Sequence, residues 1–241
     1  MAVNVDTVYQ KVLALANKEQ RGYITPQDFN LFANQAQLEI FEQYFYDLNQ
    51  ARKVQGNDTV VADIDDMIEQ KLNIFEVTPK TSTINGYVSA PGGGKVLPNE
   101  VYRISYVGLK KSGGAECEML NAKDFINNKK SPLTKPSEAR PIATLQGKTL
   151  KCNDGGDLDV DPYTLVYIKT PSKVNWTYVV INKKAMYNAL STTGHFELHE
   201  SESIQLVNKI LRLAGLSTQQ TDVMRSGSAM ESMVKQEQSK I

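Results

Sequence analysis

The chain is 241 residues long, with 41% apolar and 22% charged residues, amounts that suit one large or two small globular domains and exclude disorder throughout. Its 27 Lys and Arg are balanced by 27 Asp and Glu, so no overall field draws it to nucleic acid or to an anionic membrane. No apolar run is long enough to span a bilayer. "MAVNVDTVYQ" carries no signal-peptide pattern, which predicts a cytosolic origin and two reduced thiols, Cys117 and Cys152, rather than a disulfide.

Val5, Val8, Tyr9, Val12, Leu13 and Ala16 recur at intervals of three and four behind a capping Asn4, predicting an amphipathic helix. "NKEQRGYITPQD", residues 17–28, follows with the outline of an EF-hand loop, Gly22 at position 6 and Ile24 at position 8. Its ligands do not suit calcium: Asn17 is an uncharged amide at position 1, Glu19 stands at position 3, Arg21 puts a guanidinium at position 5, and Asp28 replaces the bidentate glutamate. The same letters spell a helix start, with Thr25 as N-cap, Pro26 at the first helical position, Asp28 in a capping box, and Ile24 and Phe29 as a hydrophobic staple. Phe29, Phe32, Ala33, Ala36, Ile40, Phe41, Tyr44, Phe45 and Leu48 then predict a long helix, apolar around more than half its circumference. Such a helix is buried on several sides or covers a partner. A third helix is predicted at about 63–75, with Ile64, Met67, Ile68, Leu72 and Phe75 on one face.

From about residue 76 the pattern changes to short β-branched and aromatic runs. "VLPNEVYRISYVGLKK", "ARPIATLQGKTLKC", "PYTLVYIKTP" and "WTYVVINK" read as strands, separated by "NG", "PGGGK", "SGG", "NDGGD" and prolines. "NAKDFINNKKSPLTKPSEARP" reads as a polar connection with one helical turn. Helix returns at "ESESIQLVNKILRLAGL", with Ile204, Val207, Ile210, Leu211 and Ala214 as its stripe and Gly215 placed to end it. Glu200 and Glu202 near its start, and Lys209 and Arg212 near its end, complement the helix dipole. The closing "STQQTDVMRSGSAMESMVKQEQSKI" is too polar to build a core of its own. Its apolar members, Val223, Met224, Met230, Met233 and Val234, are the candidate contacts to a partner or a neighbouring subunit, since methionine adapts to irregular surfaces.

Chemistry-bearing motifs are weak. "HFELH" sets His195 and His199 four apart, but Glu197 is one place too late for a zincin and Gly194 argues that no helix has begun. In an extended segment the imidazoles lie about 13 Å apart. "APGGGKV" lacks the spacing and the hydroxyl of a phosphate loop, with Ser89 and Val96 at the deciding positions. Asp154, Asp157, Asp159 and Asp161 read as a solvated turn, and no G-x-S-x-G occurs. No catalytic, cofactor or metal residue is assigned, and the expectation is a protein that is not an enzyme. Two alternatives stay open: a calcium-responsive EF-hand-like helical module at Asn17 to Asp28, and an unfamiliar metal-dependent enzyme using His195, His199 and the aspartates.

"GYITPQDFNLFANQAQLEIFEQYFYDLN", taken with "TPSKVNWTYVV", "STTGHFELHESESIQLVNKILRLAGL" and the Gln/Lys-rich C-terminus, resembles virion structural proteins of crAss-like tailed phages of Bacteroidetes, in particular their neck ring proteins. The resemblance covers the N-terminal and last thirds, and the middle matches loosely. The order helix, β insertion, helix is also similar to that of head-to-tail adaptors of short-tailed phages. The resemblance implies a dodecameric ring that joins portal to tail. Its implied partners are further copies of itself, the portal protein and other neck or tail proteins. The ring would line a conduit through which genome DNA passes without sequence-specific binding. It implies residence in the virion neck or tail and assembly in the host bacterial cytoplasm, with no membrane partner.

The expected fold class is α+β. N- and C-terminal helices, at 1–75 and 191–241, form a helical body around a β-rich insertion at 76–190, and the last segment serves as a docking arm.

Overall fold

The computed structural model describes residues 3–18, 24–51, 59–78, 94–109, 115–155, 163–182, 184–188, 194–217, 228–230 and 232–233. The fold is α+β, and the chain divides into a helical unit, Met1–Ile74 with Pro171–Ile241, and a β unit, Phe75–Thr170.

In the helical unit, α1 (Val5–Lys18) starts where Asn4 Oδ1 accepts from the Asp6 N–H at 2.8 Å, and it buries Val5, Val8, Tyr9, Val12 and Ala16. The chain enters α2 (Pro26–Ala51) through Thr25, whose hydroxyl oxygen accepts from the Asp28 N–H at 3.2 Å. The same hydroxyl donates to the Asp28 carboxylate at 2.6 Å, a variant of the capping box in which the acid reaches the hydroxyl. Ile24 and Phe29, the staple positions, are both buried. Phe29, Ala33, Ala36, Ile40, Phe41, Tyr44 and Leu48 form the buried face of α2, while Leu31, Leu38 and Tyr46 stand exposed on its other side.

The helix α3 (Thr59–Leu72) continues into a 3-10 turn, Asn73–Phe75. Leu72 and Phe75 are buried and Ile68 half-buried, but Met67, expected on the same face, is 60% exposed. The buried seam lies one position to the side of it, along Ile68, Leu72 and Phe75. The helix α5 (Ser203–Ser217) packs against α1 and α2 and differs from expectation at both ends. Ile204 is exposed, so the stripe begins at Leu206 and continues through Val207, Ile210, Leu211 and Ala214. Gly215 does not end the helix; it is buried inside it.

Among the described residues the β unit holds two sheets. β1 (Glu76–Val77), β7 (Tyr163–Lys169) and β3 (Val101–Leu109) form one, in the order β1-β7-β3. β2 (Lys95–Val96), β6 (Thr149–Asn153), β5 (Ile142–Gln146) and β4 (Glu118–Met119) form the other, in that order, with β4 parallel to β5. A bridge from Gly108 to Glu116 and the bond from the Cys117 N–H to the Val107 carbonyl join the two sheets. Gly147, at φ 61°, supplies the left-handed residue of the tight β5–β6 turn. The polar connection after β4 carries more helix than expected, α4 (Ala122–Lys130), anchored by buried Phe125. Leu97, Val107, Cys117, Ala143, Leu150, Cys152, Leu165 and Tyr167 make the core of this unit.

The β unit closes at Thr170, so the insertion expected to run to 190 ends earlier. The chain from Pro171 onward, with the hairpin of β8 (Tyr178–Ile181) and β9 (Lys184–Tyr187), belongs to the helical unit. Hydrogen bonds to α2 keep it there.

Candidate assembly surface

An extended strap, residues 171–177, is bound along α2 by three side-chain amides that stand on one face of that helix. Asn34 holds Val174 at both ends, Oδ1 accepting from its N–H at 2.8 Å and Nδ2 donating to its carbonyl at 2.9 Å. Asn30 does the same for Trp176, at 2.8 and 3.3 Å. Gln37 donates to the Ser172 carbonyl at 2.8 Å and accepts from the Glu197 N–H at 3.2 Å. The periods match: four helical residues rise about 6 Å and two extended residues about 6.6–6.8 Å. One amide therefore meets every second residue of an antiparallel strap. Gln37 follows Asn34 by three residues rather than four, and its additional methylene makes up the shorter rise.

The strap's other edge pairs with Gly194, through two bonds of 3.2 Å exchanged with Asn175. A Cβ on Gly194 would lie 2.5 Å from the Lys173 carbonyl oxygen, so only glycine allows the approach. Trp176 is 1% exposed. Its ring lies 4.0 Å from that of Tyr9 and stacks near Tyr178 and Tyr187, and its indole N–H donates to Asp6 at 2.9 Å.

This anchor carries the β8–β9 hairpin. Thr177 and Asn188 close its base with two bonds, and Asn182, at φ 51°, makes its turn. The register pairs Tyr178 with Tyr187, Val179 with Met186, Val180 with Ala185 and Ile181 with Lys184. Alternation puts Val179, Ile181, Lys184 and Met186 on one face. All four are exposed, Val179 to 47%, Ile181 to 50% and Met186 to 54%. Among the described residues the hairpin is a two-stranded sheet, and such a ribbon is marginal in water on its own. Here the aromatic base holds it, and apolar side chains stay exposed on both of its faces, Val180 to 63% on the other.

A second feature of the helical unit is a buried charge pair. Glu202, 2% exposed, receives a bond of 2.6 Å from Lys71, whose ammonium also lies over the Tyr44 ring. Burial, and next the facing Glu202 carboxylate, hold the Tyr44 phenol well above its ordinary value. Neither the Tyr44 hydroxyl nor Glu202 Oε2 completes a hydrogen bond among the described residues. Glu39 of α2 takes Arg212 at 2.7 Å and the buried Lys209 at 3.6 Å, tying α5 to α2.

The segment of His195 and His199 is extended, as expected: Phe196 and Leu198 point inward and both histidines outward. His199 caps the 3-10 turn Glu200–Glu202, accepting from the Ser201 N–H at 3.3 Å, and His195 lies 3.5 Å from the Val5 N–H. Among the described residues, no group of three or more His, Cys, Asp or Glu could hold a metal. Asp157, Asp159 and Asp161 lie outside the described residues, as do Glu19, Arg21 and Gly22 of the EF-hand-like loop. Its described end serves the α2 cap, where Asp28 is already engaged by Thr25. Cys117 and Cys152 are free thiols buried in the β core, and the hydrogen bond with Cys152 holds the Cys117 thiol below its ordinary value, against the opposing effect of burial. A cleft of about 350 Å³ in the β unit is lined by Leu97, Val101, Ile104, Met119 and Leu145, with Arg103 and Lys148 as its charged members. Tyr102 also lines it.

Of the candidate contacts in the C-terminal segment, Val223, Met224 and Val234 lie outside the described residues. Met230 and Met233 are helical and exposed, at 42% and 64%. The amide ladder and Trp176 were not singled out from the sequence. The sequence marks Asn30, Asn34 and Gln37 only as amides interleaved with the apolar positions of α2. No helix among the described residues is long and apolar enough to cross a membrane. No protein-family model matches the chain, and no curated protein does.

Proposed function

We propose that the protein is a structural component of a tailed-phage virion, a neck ring or head-to-tail adaptor that joins portal to tail around the DNA conduit. The observation that carries this reading is the β8–β9 hairpin. Its face of Val179, Ile181 and Met186 is turned to solvent while its base is fixed by Trp176 and the amide ladder. A rigid anchor beneath an apolar face is what a subunit needs to make the same contact repeatedly, and heterologous contacts of that kind generate rings where the rotation between copies closes. The sequence resemblance in the first and last thirds supports the same assignment, and exposed Met230 and Met233 add a second surface for neighbours. The balance of 27 basic against 27 acidic residues suits a conduit, which must pass DNA without holding it. High-resolution imaging of virions decides the matter: density for this chain as a ring between portal and tail is expected, and its location in the capsid shell or fibres, or its absence, overturns the proposal.

A further inference from the structure

The cleft of the β unit is shaped by an irregularity in β3. Four consecutive residues of that strand, Val101 to Ile104, line it. A regular strand sends successive side chains to opposite faces, so it would offer only alternate ones. The register against β7 slips at this place: Val101 faces Lys169 and Arg103 faces Ile168, which makes Tyr102 the extra residue of a bulge. Bulges of this kind re-aim side chains next to functional sites. Buried Leu97 and half-buried Ile104 line the cleft, and Tyr102, Met119 and Leu145, from three different strands, are 48%, 46% and 43% exposed beside them.

The charge of the cleft has one sign. Arg103 and Lys148 line it, and among the described residues no carboxylate does. The neighbouring acids are engaged elsewhere, Glu100 with the Tyr167 hydroxyl at 2.7 Å and Glu118 with Arg140 at 3.5 Å. The Lys148 ammonium is held at the rim by the neutral amide of Asn99, at 2.7 Å, and keeps further N–H donors for a ligand. We infer that the cleft binds an amphipathic anion. Its alkyl or aromatic body lies on Leu97, Ile104, Met119 and Leu145, and its carboxylate meets Lys148 and Arg103. The volume of about 350 Å³ is at the small end of the roughly 300–1,000 Å³ of ligand sites, which suits one ring or a medium alkyl chain. Apolar contact supplies the affinity, and the two cations fix which end of the ligand enters. The site stands independently of a place in the virion.

Octanoate and its uncharged counterpart octanol test this in the full-length protein, with isothermal titration calorimetry for affinity and heteronuclear NMR for location. Saturable binding of octanoate is expected, with amide shifts centred on Val101 to Ile104 and Leu145 to Lys148. Octanol should bind about tenfold or more weakly, because it lacks the charge-assisted hydrogen bonds. Arg103→Gln combined with Lys148→Gln should weaken octanoate by a similar factor and leave octanol unchanged. Leu145→Asp should weaken both ligands, and Met119→Asp serves in its place if circular dichroism shows that Leu145→Asp lowers the melting temperature. Octanoate that does not saturate, that shifts amides only outside the cleft, that binds no better than octanol, or that binds the double glutamine variant like the parent would each overturn the inference.

Discussion

Replacing Asn34 by leucine removes the central rung of the amide ladder while keeping nearly the same side-chain volume. The native amide satisfies both the N–H and the carbonyl of Val174, at 2.8 and 2.9 Å, and Val174 is 2% exposed. Leucine leaves both backbone groups unpaired, and each buried polar group without a partner costs about 1–3 kcal/mol. Asn30 and Gln37 still hold the strap on either side, so it cannot move far enough to hydrate both groups, and a total loss of about 3 kcal/mol follows. Asn34→Asp should be milder for the N–H and worse for the carbonyl, since a carboxylate accepts from the first and repels the second. Urea unfolding followed by far-ultraviolet circular dichroism measures the loss, and hydrogen exchange at the Val174 amide locates it. Asn30→Ala combined with Asn34→Leu should cost less than the sum of the two, because both act on one strap. If Asn34→Leu stays within about 0.5 kcal/mol of the parent, as surface substitutions do, and Val174 keeps its protection, the ladder does not hold the strap.

Lys71→Met leaves the Glu202 carboxylate buried without its cation and should destabilise the chain by about 3–5 kcal/mol in thermal or urea unfolding, whereas a volume-matched apolar replacement of both partners should cost far less. The raised Tyr44 phenol favours the protonated form in the folded state, so its contribution is complete below about pH 10 and is lost as pH rises beyond that, at up to about 1.4 kcal/mol per pH unit. Stability curves from pH 8 to 11 read this, and Tyr44→Phe should flatten the alkaline limb; an unchanged limb would dismiss the assignment. Cys117 and Cys152 should resist a thiol reagent in the native protein and react together on unfolding, monitored by mass spectrometry, because both sulfurs sit in the β core. On the proposed neck-ring reading, Met230→Gln with Met233→Gln should leave the melting temperature unchanged while weakening capture by portal protein, and unaltered capture would remove these residues from the contact surface.

Local features were legible in the sequence because they act through neighbours in the chain. Asn4 and Thr25 cap the helices they precede, and the spacing of three and four assigns the buried faces of α1 and α2. The extended course of His195 to His199 followed from the glycine before it and was found. What the sequence could not show was which polar side chains would find distant partners. Asn30, Asn34 and Gln37 read as ordinary amides on a helix until the strap more than 130 residues later is laid beside them. Met67 and Ile204 fit an apolar stripe by period, yet both are exposed, because the angle at which neighbouring helices meet decides how wide a buried seam becomes. Gly215 looked like a helix end and is helix interior, since the packing of α5 against α1 and α2 outweighs a local cost of about 1 kcal/mol for glycine. The boundary at Thr170 and the membership of the β8–β9 hairpin in the helical unit were likewise tertiary decisions. Strand propensity made the hairpin, and side-chain hydrogen bonds across the fold decided where it stands.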